Sequence, residues 1–407
     1  GFTFEHDAHL YLRRAVALRG AVGALTGGGE QSAARLARRA LDGERRTMEI
    51  GFHGADESFR ATTRDELSSI AALPTDEQRA ALARAGYFMP HLPKPHGLDA
   101  GPVEQLVVDE ELARAGLVRP DIAIGGWAVP TIVQHGTEEQ RDRFVLPTLL
   151  GDIFWCQLFS EPGAGSDLAS LSTRAVRDEG GWRLTGQKVW TSLAHDADWG
   201  ICLARTDPDA PKHKGISYFL VDMRSPGIDI RPLREITGEA MFNEVFLDDV
   251  FVPDDLVVGE VNDGWKLART TLVNERIAMS GSTGIDSELE SVLDLAQQLG
   301  ADDDTNRERL GRLVAESVSG SLLDVRSTLR QLDGRDSSAE SSVRKLIGVR
   351  HRQAVAEAGL ELLDGAAAAD GEQVHQFLMT RCLTIAGGTT QVLLTLAAER
   401  ILGLPRN

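Results

Sequence analysis

Cysteine is nearly absent, with only Cys156, Cys202 and Cys382 in 407 residues. An odd number without metal-ligand spacing leaves no disulfide framework and no zinc site, so the expectation is buried, reduced thiols in a reducing compartment. Tyrosine is equally scarce at three, and aromatics total 5%. Positive charge is in deficit, with 43 Lys and Arg against 61 Asp and Glu and a formal net charge of −18. That balance repels phosphodiester and anionic lipid, which argues against a nucleic-acid or membrane-surface partner. No run approaches the roughly 18 apolar residues a membrane-spanning helix needs. The first residues show no basic stretch leading into an apolar core, and a cytoplasmic protein is the expectation.

What is present is ordinary for a globular chain, with 42% hydrophobic and 26% charged residues. The length allows one large core or two medium ones. The most informative stretch is Ser160-Glu161-Pro162-Gly163-Ala164-Gly165-Ser166-Asp167, followed by Gly186-Gln187-Lys188-Val189-Trp190-Thr191-Ser192. Glycines at 163 and 165 beside Pro162 specify a loop whose backbone can approach a ligand, with small hydroxyl and amide donors next to it. Taken alone, such a stretch is a connecting loop.

The order of the parts changes that reading. The run Trp155-Cys156-Gln157-Leu158-Phe159-Ser160-Glu161-Pro162-Gly163-Ala164-Gly165-Ser166-Asp167, closing at Leu203-Ala204-Arg205-Thr206-Asp207, resembles the acyl-CoA dehydrogenase family. Ile385-Ala386-Gly387-Gly388-Thr389-Thr390-Gln391 and Ala398-Glu399-Arg400-Ile401-Leu402-Gly403 resemble that family's closing helix. The resemblance covers essentially all of 57–407 and implies an FAD-dependent enzyme that dehydrogenates an acyl-CoA thioester and passes electrons to an electron-transferring flavoprotein.

The texture along the chain agrees. Helical spacing of Leu67, Ile70, Leu82, Val103, Leu106, Val107 and Leu112 marks 57–150 as an α-helical domain. Short apolar runs such as Ile201-Cys202-Leu203-Ala204 and Tyr218-Phe219-Leu220-Val221 mark 151–258 as a β-domain. The remainder, 259–407, returns to helix with Asn262 or Asp263 as cap and an acidic break at Asp302-Asp303-Asp304. The fold expected is therefore α+β and acyl-CoA dehydrogenase-like: an N-terminal helical domain, a central β-barrel-like domain and a C-terminal helical bundle. Residues 1–56, beginning Gly1-Phe2-Thr3-Phe4-Glu5-His6, resemble the C-terminal tail of a preceding domain of the same family plus a linker. A fused two-domain protein of actinobacterial, mycobacterial type is the expectation, and many of these act on steroid side-chain thioesters.

Oxidation of a thioester at its α and β carbons needs a base for a weakly acidic α-proton. In many family members a glutamate directly precedes the closing Gly-Thr, but here Gly387 stands at the matching position. A second family arrangement places the base in a Glu-Arg pair on the first long helix of the C-terminal domain, where this chain has Asn274-Glu275-Arg276. Helix geometry supports Glu275 independently. Trp265, Ala268, Leu272, Glu275 and Met279 share one stripe, which puts a carboxylate amid apolar neighbours. Such a group is either ion-paired, to Arg276 or a neighbouring helix, or functional; desolvation would strengthen it as a base. Glu239 and Glu244 compete, but lie in or beside a hairpin-like stretch whose family counterpart is structural.

The resemblance implies the remaining roles. The Gly387 N–H would donate to the thioester carbonyl, a contribution of roughly 3 kcal/mol where such donors have been removed. The backbones of Leu158, Phe159 and Ser160 would contact the flavin pyrimidine, with Trp190 and Ser192 near N5. Ser166 and Arg276 would serve substrate binding, Ser166 at the pantetheine or pyrophosphate. Thr389 and Gln391 match positions that reach the dinucleotide part of FAD, often across a subunit interface of an oligomer.

Two parts of the pattern are missing. The family's pyrophosphate-gripping arginine run is replaced by Leu295 to Asp304, whose acidic end would repel a pyrophosphate. Its glycine-rich stretch is replaced by Glu361-Leu362-Leu363-Asp364-Gly365-Ala366-Ala367. An FAD held jointly with the preceding domain would account for both departures. The alternatives are a non-catalytic partner domain that completes an FAD site elsewhere, or a flavin oxidase or monooxygenase on the same fold.

Overall fold

Capping chemistry written into the chain sets several helix ends. In the computed structural model, which describes residues 57–279, 287–332, 338–364 and 371–405, Thr137 opens a helix over Glu138–Leu150. Its hydroxyl accepts from the Gln140 N–H at 3.2 Å while Gln140 Oε1 accepts from the Thr137 N–H at 3.1 Å. The helix stops at Gly151, whose φ of +89° suits glycine alone. The stretch 1–56, with its expected tail of a preceding domain, lies outside the described residues.

The chain divides into two compact units. The first contains, of the described residues, 57–78, 99–118, Met279, 287–332, 338–364 and 371–405. Its helices are α1 (Glu57–Ala71), α3 (Pro102–Ala115), α7 (Ser287–Leu299), α8 (Asp304–Leu332), α9 (Ser338–Leu362), α10 (Glu372–Thr380) and α11 (Thr390–Arg400), and α2 (Thr75–Arg84) begins in it. Leu289 and Val292 of α7, Leu313 and Val314 of α8, and Val355 and Ala358 of α9 form one apolar cluster. Between α1 and α3, Arg60 Nη1 donates to Glu110 at 2.6 Å, and Arg64 makes two bonds of 2.9 Å to Glu111. Burial pushes Glu110 above the usual carboxylate range. Glu111 is pushed up by burial too, but donors on Arg64 and Arg60 outweigh it and hold it below.

The second unit, 79–98 and 119–278, contains α4 (Gly125–His135), α5 (Glu138–Leu150), the whole sheet and nearly all of α6 (Gly264–Met279). The β-barrel-like region expected of 151–258 is an eight-stranded, mostly antiparallel sheet. Its strands are β1 (Trp155–Leu158), β2 (Arg174–Asp178), β3 (Gly181–Ser192), β4 (Trp199–Arg205), β5 (Ile216–Asp222), β6 (Ile228–Leu233), β7 (Phe242–Pro253) and β8 (Val257–Val258). The order is β6-β7-β3-β2-β4-β5-β8, with β1 pairing in parallel with β4. β5 is buried on both faces except at Asp222, with Ser217 as the one hydroxyl besides that of Tyr218 among its apolar residues. Phe144 of α5 meets Trp199 of β4 edge-on at 4.8 Å and Trp155 of β1 at 5.5 Å, which anchors that helix to the sheet. Aromatic pairs of this kind contribute about 0.5–1.5 kcal/mol each beyond area burial.

Cys156 and Cys202 are buried and unbridged, whereas Cys382 is half-buried. Among the described residues no helix is long and apolar enough to cross a membrane.

Candidate active site

Strand β1 delivers the chain into the glycine-bearing loop, and a buried ion pair sets the loop's shape. Lys188 on β3 is fully buried; its Nζ donates to Glu161 Oε1 at 2.8 Å, to the Leu203 carbonyl at 2.8 Å and to the Phe159 carbonyl at 3.2 Å. Glu161 accepts in turn from Ser172 N at 2.6 Å, Ser172 Oγ at 2.7 Å and Thr173 N at 2.9 Å. Burial alone would raise its pKa, but the Lys188 charge and these donors bring it down to about 2. Gly186 makes the arrangement possible, because a Cβ there would lie 2.3 Å from Thr173 Oγ1. A pair of backbone bonds between Glu161 and Ala164, each 3.0 Å, closes the turn.

Leu158 and Phe159 are buried and Ser160 half-buried, and the Val189 N–H donates to the Ser160 carbonyl at 2.9 Å. The structure thus brings the Leu158–Ser160 segment against the run that holds Trp190 and Ser192. Gly163 and Gly165 have no left-handed φ, and a Cβ on either would meet, beyond its chain neighbours, no atom of the described residues within 4 Å. Ser166 is exposed on the same loop.

Between Lys188 and Thr191, β3 carries one residue more than β7, a bulge that lifts Trp190 out of the sheet. Trp190 has a φ of +58° and is 63% exposed, with its ring edge-on to Phe242 at 6.0 Å. It is not a core residue. A left-handed conformation on a bulky side chain costs on the order of 1–3 kcal/mol. Ser192 is half-buried at the end of the strand.

Glu275, on α6, is 8% exposed. Its Oε2 accepts from Gln157 Nε2 on β1 at 3.1 Å, one residue before Leu158. Ala268 on the same stripe is fully buried, while Trp265 and Leu272 are half-buried. Arg276 is half-buried; burial pulls its pKa below the ordinary value against the opposing charge of Glu275. Of the competing carboxylates, Glu244 accepts from Gln187 Nε2 at 2.9 Å across β3 and β7, and Glu239 belongs to the turn that follows Glu235.

Gly387, Thr389 and Gln391 belong to the first unit. Gly387 and Gly388 have φ of +64° and +98°, a doubly left-handed turn rather than part of a closing helix that begins at Ile385. Buried Lys345 of α9 donates to the carbonyls of Ala386 and, at 2.6 Å, of Gly388. Because C=O and N–H point oppositely across a trans peptide, holding the Ala386 carbonyl turns the Gly387 N–H away from Lys345. Thr389 is the N-cap of α11, accepting from the Val392 N–H at 3.3 Å, and Gln391 is exposed.

The acidic run has a structural use. Asp303 Oδ1 accepts from the N–H groups of Thr305 and Asn306 at 3.0 and 3.1 Å and so caps α8. Of the two residues expected as a cap of α6, Asn262 accepts from Thr206 Oγ1 at 2.5 Å, and Asp263 directly precedes the helix. The replaced glycine stretch runs from Glu361 into residues 365–370, which lie outside the described residues.

Sequence reasoning passed over the roles of Gln157, Lys188, Glu161 and Lys345. A lysine at an inward position of a strand was the available signal for Lys188; the others carried none.

Residues 56–152, 156–250 and 262–402 match the N-terminal, middle and C-terminal domains of acyl-CoA dehydrogenase. Over 349 residues the chain is 39% identical to acyl-CoA dehydrogenase IpdE1 of Mycobacterium tuberculosis, covering 81% of this chain and 89% of that protein. The chain belongs to the acyl-CoA dehydrogenase family. Another member, FadE34 of Mycobacterium tuberculosis, is 56% identical over 410 residues; the alignment takes in 100% of this chain but 56% of FadE34. Among solved acyl-CoA dehydrogenase structures, the Tcur3481-Tcur3483 steroid ACAD superposes with a TM-score of 0.72 at 30% identity, covering 88% of this chain and 100% of that one.

Proposed function

We propose that this chain catalyses FAD-dependent α,β-dehydrogenation of an acyl-CoA thioester, with Glu275 as the base. The observation that carries this reading is the buried Glu275 carboxylate, hydrogen-bonded to the strand that feeds the Phe159–Ala164 loop. The loop fits a flavin on its own terms. Glycines 163 and 165 leave its backbone open to close approach, and the bulge turns Trp190 outward beside Ser192. Leu158, Phe159, Ser160, Trp190 and Ser192 would hold the ring, and Thr389 and Gln391 the dinucleotide. When bound, FAD would supply the acceptor for the hydride leaving the β carbon.

The chain's own groups have the complementary tasks. Glu275 takes the α-proton, and a general base in position is worth about 10²–10⁴ in rate. The Gly387 N–H donates to the thioester carbonyl, with Arg276 and Ser166 binding substrate. A bulky steroid side-chain thioester is the substrate class favoured by the likeness to the steroid ACAD. The family-like tail at 1–56 and the two departures from the family's pyrophosphate site support a preceding homologous domain that shares the FAD, and FadE34 is long enough to hold a second domain beyond the matched span. An oligomeric assembly and an electron-transferring flavoprotein as acceptor complete the proposal.

Anaerobic titration of the FAD-loaded protein with acyl-CoA, including any preceding domain, tests the reading. Flavin bleaching is expected in the wild type and its loss in Glu275→Gln. Equal bleaching in both would place the base elsewhere and favour a partner domain that completes another site. Rapid reoxidation of the reduced flavin by oxygen would favour an oxidase.

A further inference from the structure

Glu275 is served by a relay of two side chains that approach it from different elements. Trp127 of α4 donates its indole N–H to Gln157 Oε1 at 2.6 Å, and Gln157 Nε2 donates to Glu275 Oε2 at 3.1 Å. We infer that Gln157, locked by Trp127, is a positioning residue that holds the Glu275 carboxylate in one orientation. The inference rests on the reading of Glu275 as base.

Donor chemistry fixes the direction of the relay. An indole nitrogen can only donate, so the atom facing Trp127 must be the amide oxygen, and the amide nitrogen is left for Glu275. The amide cannot flip without placing two donors against each other at Trp127 and two acceptors against each other at Glu275. One oxygen of the carboxylate is thereby engaged by a donor anchored on β1.

The frame around the relay is itself pinned. Thr131 and Thr271 hydroxyls meet at 2.9 Å between α4 and α6, and Tyr218 of β5 reaches Thr271 at 3.2 Å. His135 Nε2 lies 3.0 Å from Thr270 Oγ1, a second tie between the same helices. The Thr131 hydroxyl also bonds the Trp127 carbonyl at 2.8 Å, which fixes the turn that carries the indole. Trp127, Gln157 and Glu275 all belong to one compact unit.

A neutral donor suits a base. A cation hydrogen-bonded in the place of Gln157 would add to the pull of the neighbouring Arg276 charge and make the carboxylate harder to protonate. An amide supplies one bond of modest strength and a fixed angle. Reacting groups must be held within a fraction of an ångström, and misplacement by 1 Å can cost on the order of 10² in rate.

The test compares Gln157→Met, which keeps the length and removes the donor, with Trp127→Phe, which frees the amide from the other side without altering β1. Both are measured in the FAD-loaded protein beside wild type and Glu275→Gln. Expected is a fall in kcat of roughly tenfold for Gln157→Met and roughly threefold for Trp127→Phe, with KM within about twofold and FAD content unchanged. A second readout does not depend on turnover. The Glu275 carboxylate band in the infrared difference spectrum, identified by its loss in Glu275→Gln, is expected to shift in both variants.

If Glu275→Gln is inactive while Gln157→Met keeps wild-type kcat and an unshifted band, the positioning role is overturned and the base assignment stands. If Glu275→Gln turns over normally, the base assignment falls and the positioning role falls with it. Loss of folding in Gln157→Met leaves Trp127→Phe to decide, and an unchanged band and kcat in that variant overturn the inference.

Discussion

Lys188 carries a positive charge into the interior of the sheet, and only its complete set of acceptors makes that tolerable. Three donors meet Glu161 and the carbonyls of Phe159 and Leu203, so the charge is paired and each N–H is engaged. The consequence for pH follows from Glu161. Its folded pKa of about 2 lies below the ordinary 4.5, so the unfolded chain binds this proton more readily. The resulting stabilisation is fully present above pH 4.5 and drains away as pH falls from there toward 2. At most it amounts to something on the order of 3 kcal/mol. Urea midpoints measured from pH 6 to pH 2.5 are expected to fall more steeply in wild type than in Glu161→Gln. Parallel curves would mean that the pair contributes nothing to acid sensitivity.

At the scale of elements, the helix-sheet-helix order was readable because period 3.6 and short apolar runs are local properties of the chain. The stripe that carries Glu275 was readable for the same reason. The bulge at Trp190 was not, since it depends on the register between β3 and β7. Nor was the use of Asp303, where an acidic run inauspicious for a pyrophosphate became the N-cap of α8. Asp303→Ala is expected to destabilise the protein by about 1 kcal/mol, read as a lower urea midpoint with an unchanged slope. Asp303→Asn, which keeps the acceptor, should recover most of the loss. If alanine and asparagine behave alike, the cap is not what these bonds contribute.

For the whole molecule, chain order and compactness diverge. Residues 57–78 and 99–118 group with the C-terminal helices, while 79–98 and 119–278 gather the sheet with α4, α5 and most of α6. If FAD binds the folded protein and not the unfolded chain, the intact protein reloaded with FAD at 100 times its Kd should gain about 2.7 kcal/mol over the stripped form. An unchanged urea midpoint across FAD concentrations would count against a resident flavin. The sequence alone determined the family resemblance, the order of elements, the glycine loop and Glu275 as the carboxylate to watch, because motifs and periodicity act over a few residues. Only the tertiary structure decided what holds them. Gln157 and Glu275 are 118 positions apart, Trp127 and Gln157 are 30 apart, and Lys188 and Glu161 are 27 apart. A hydrogen bond between residues so separated leaves no periodic trace in the sequence, and it exists only once the strands and helices have packed.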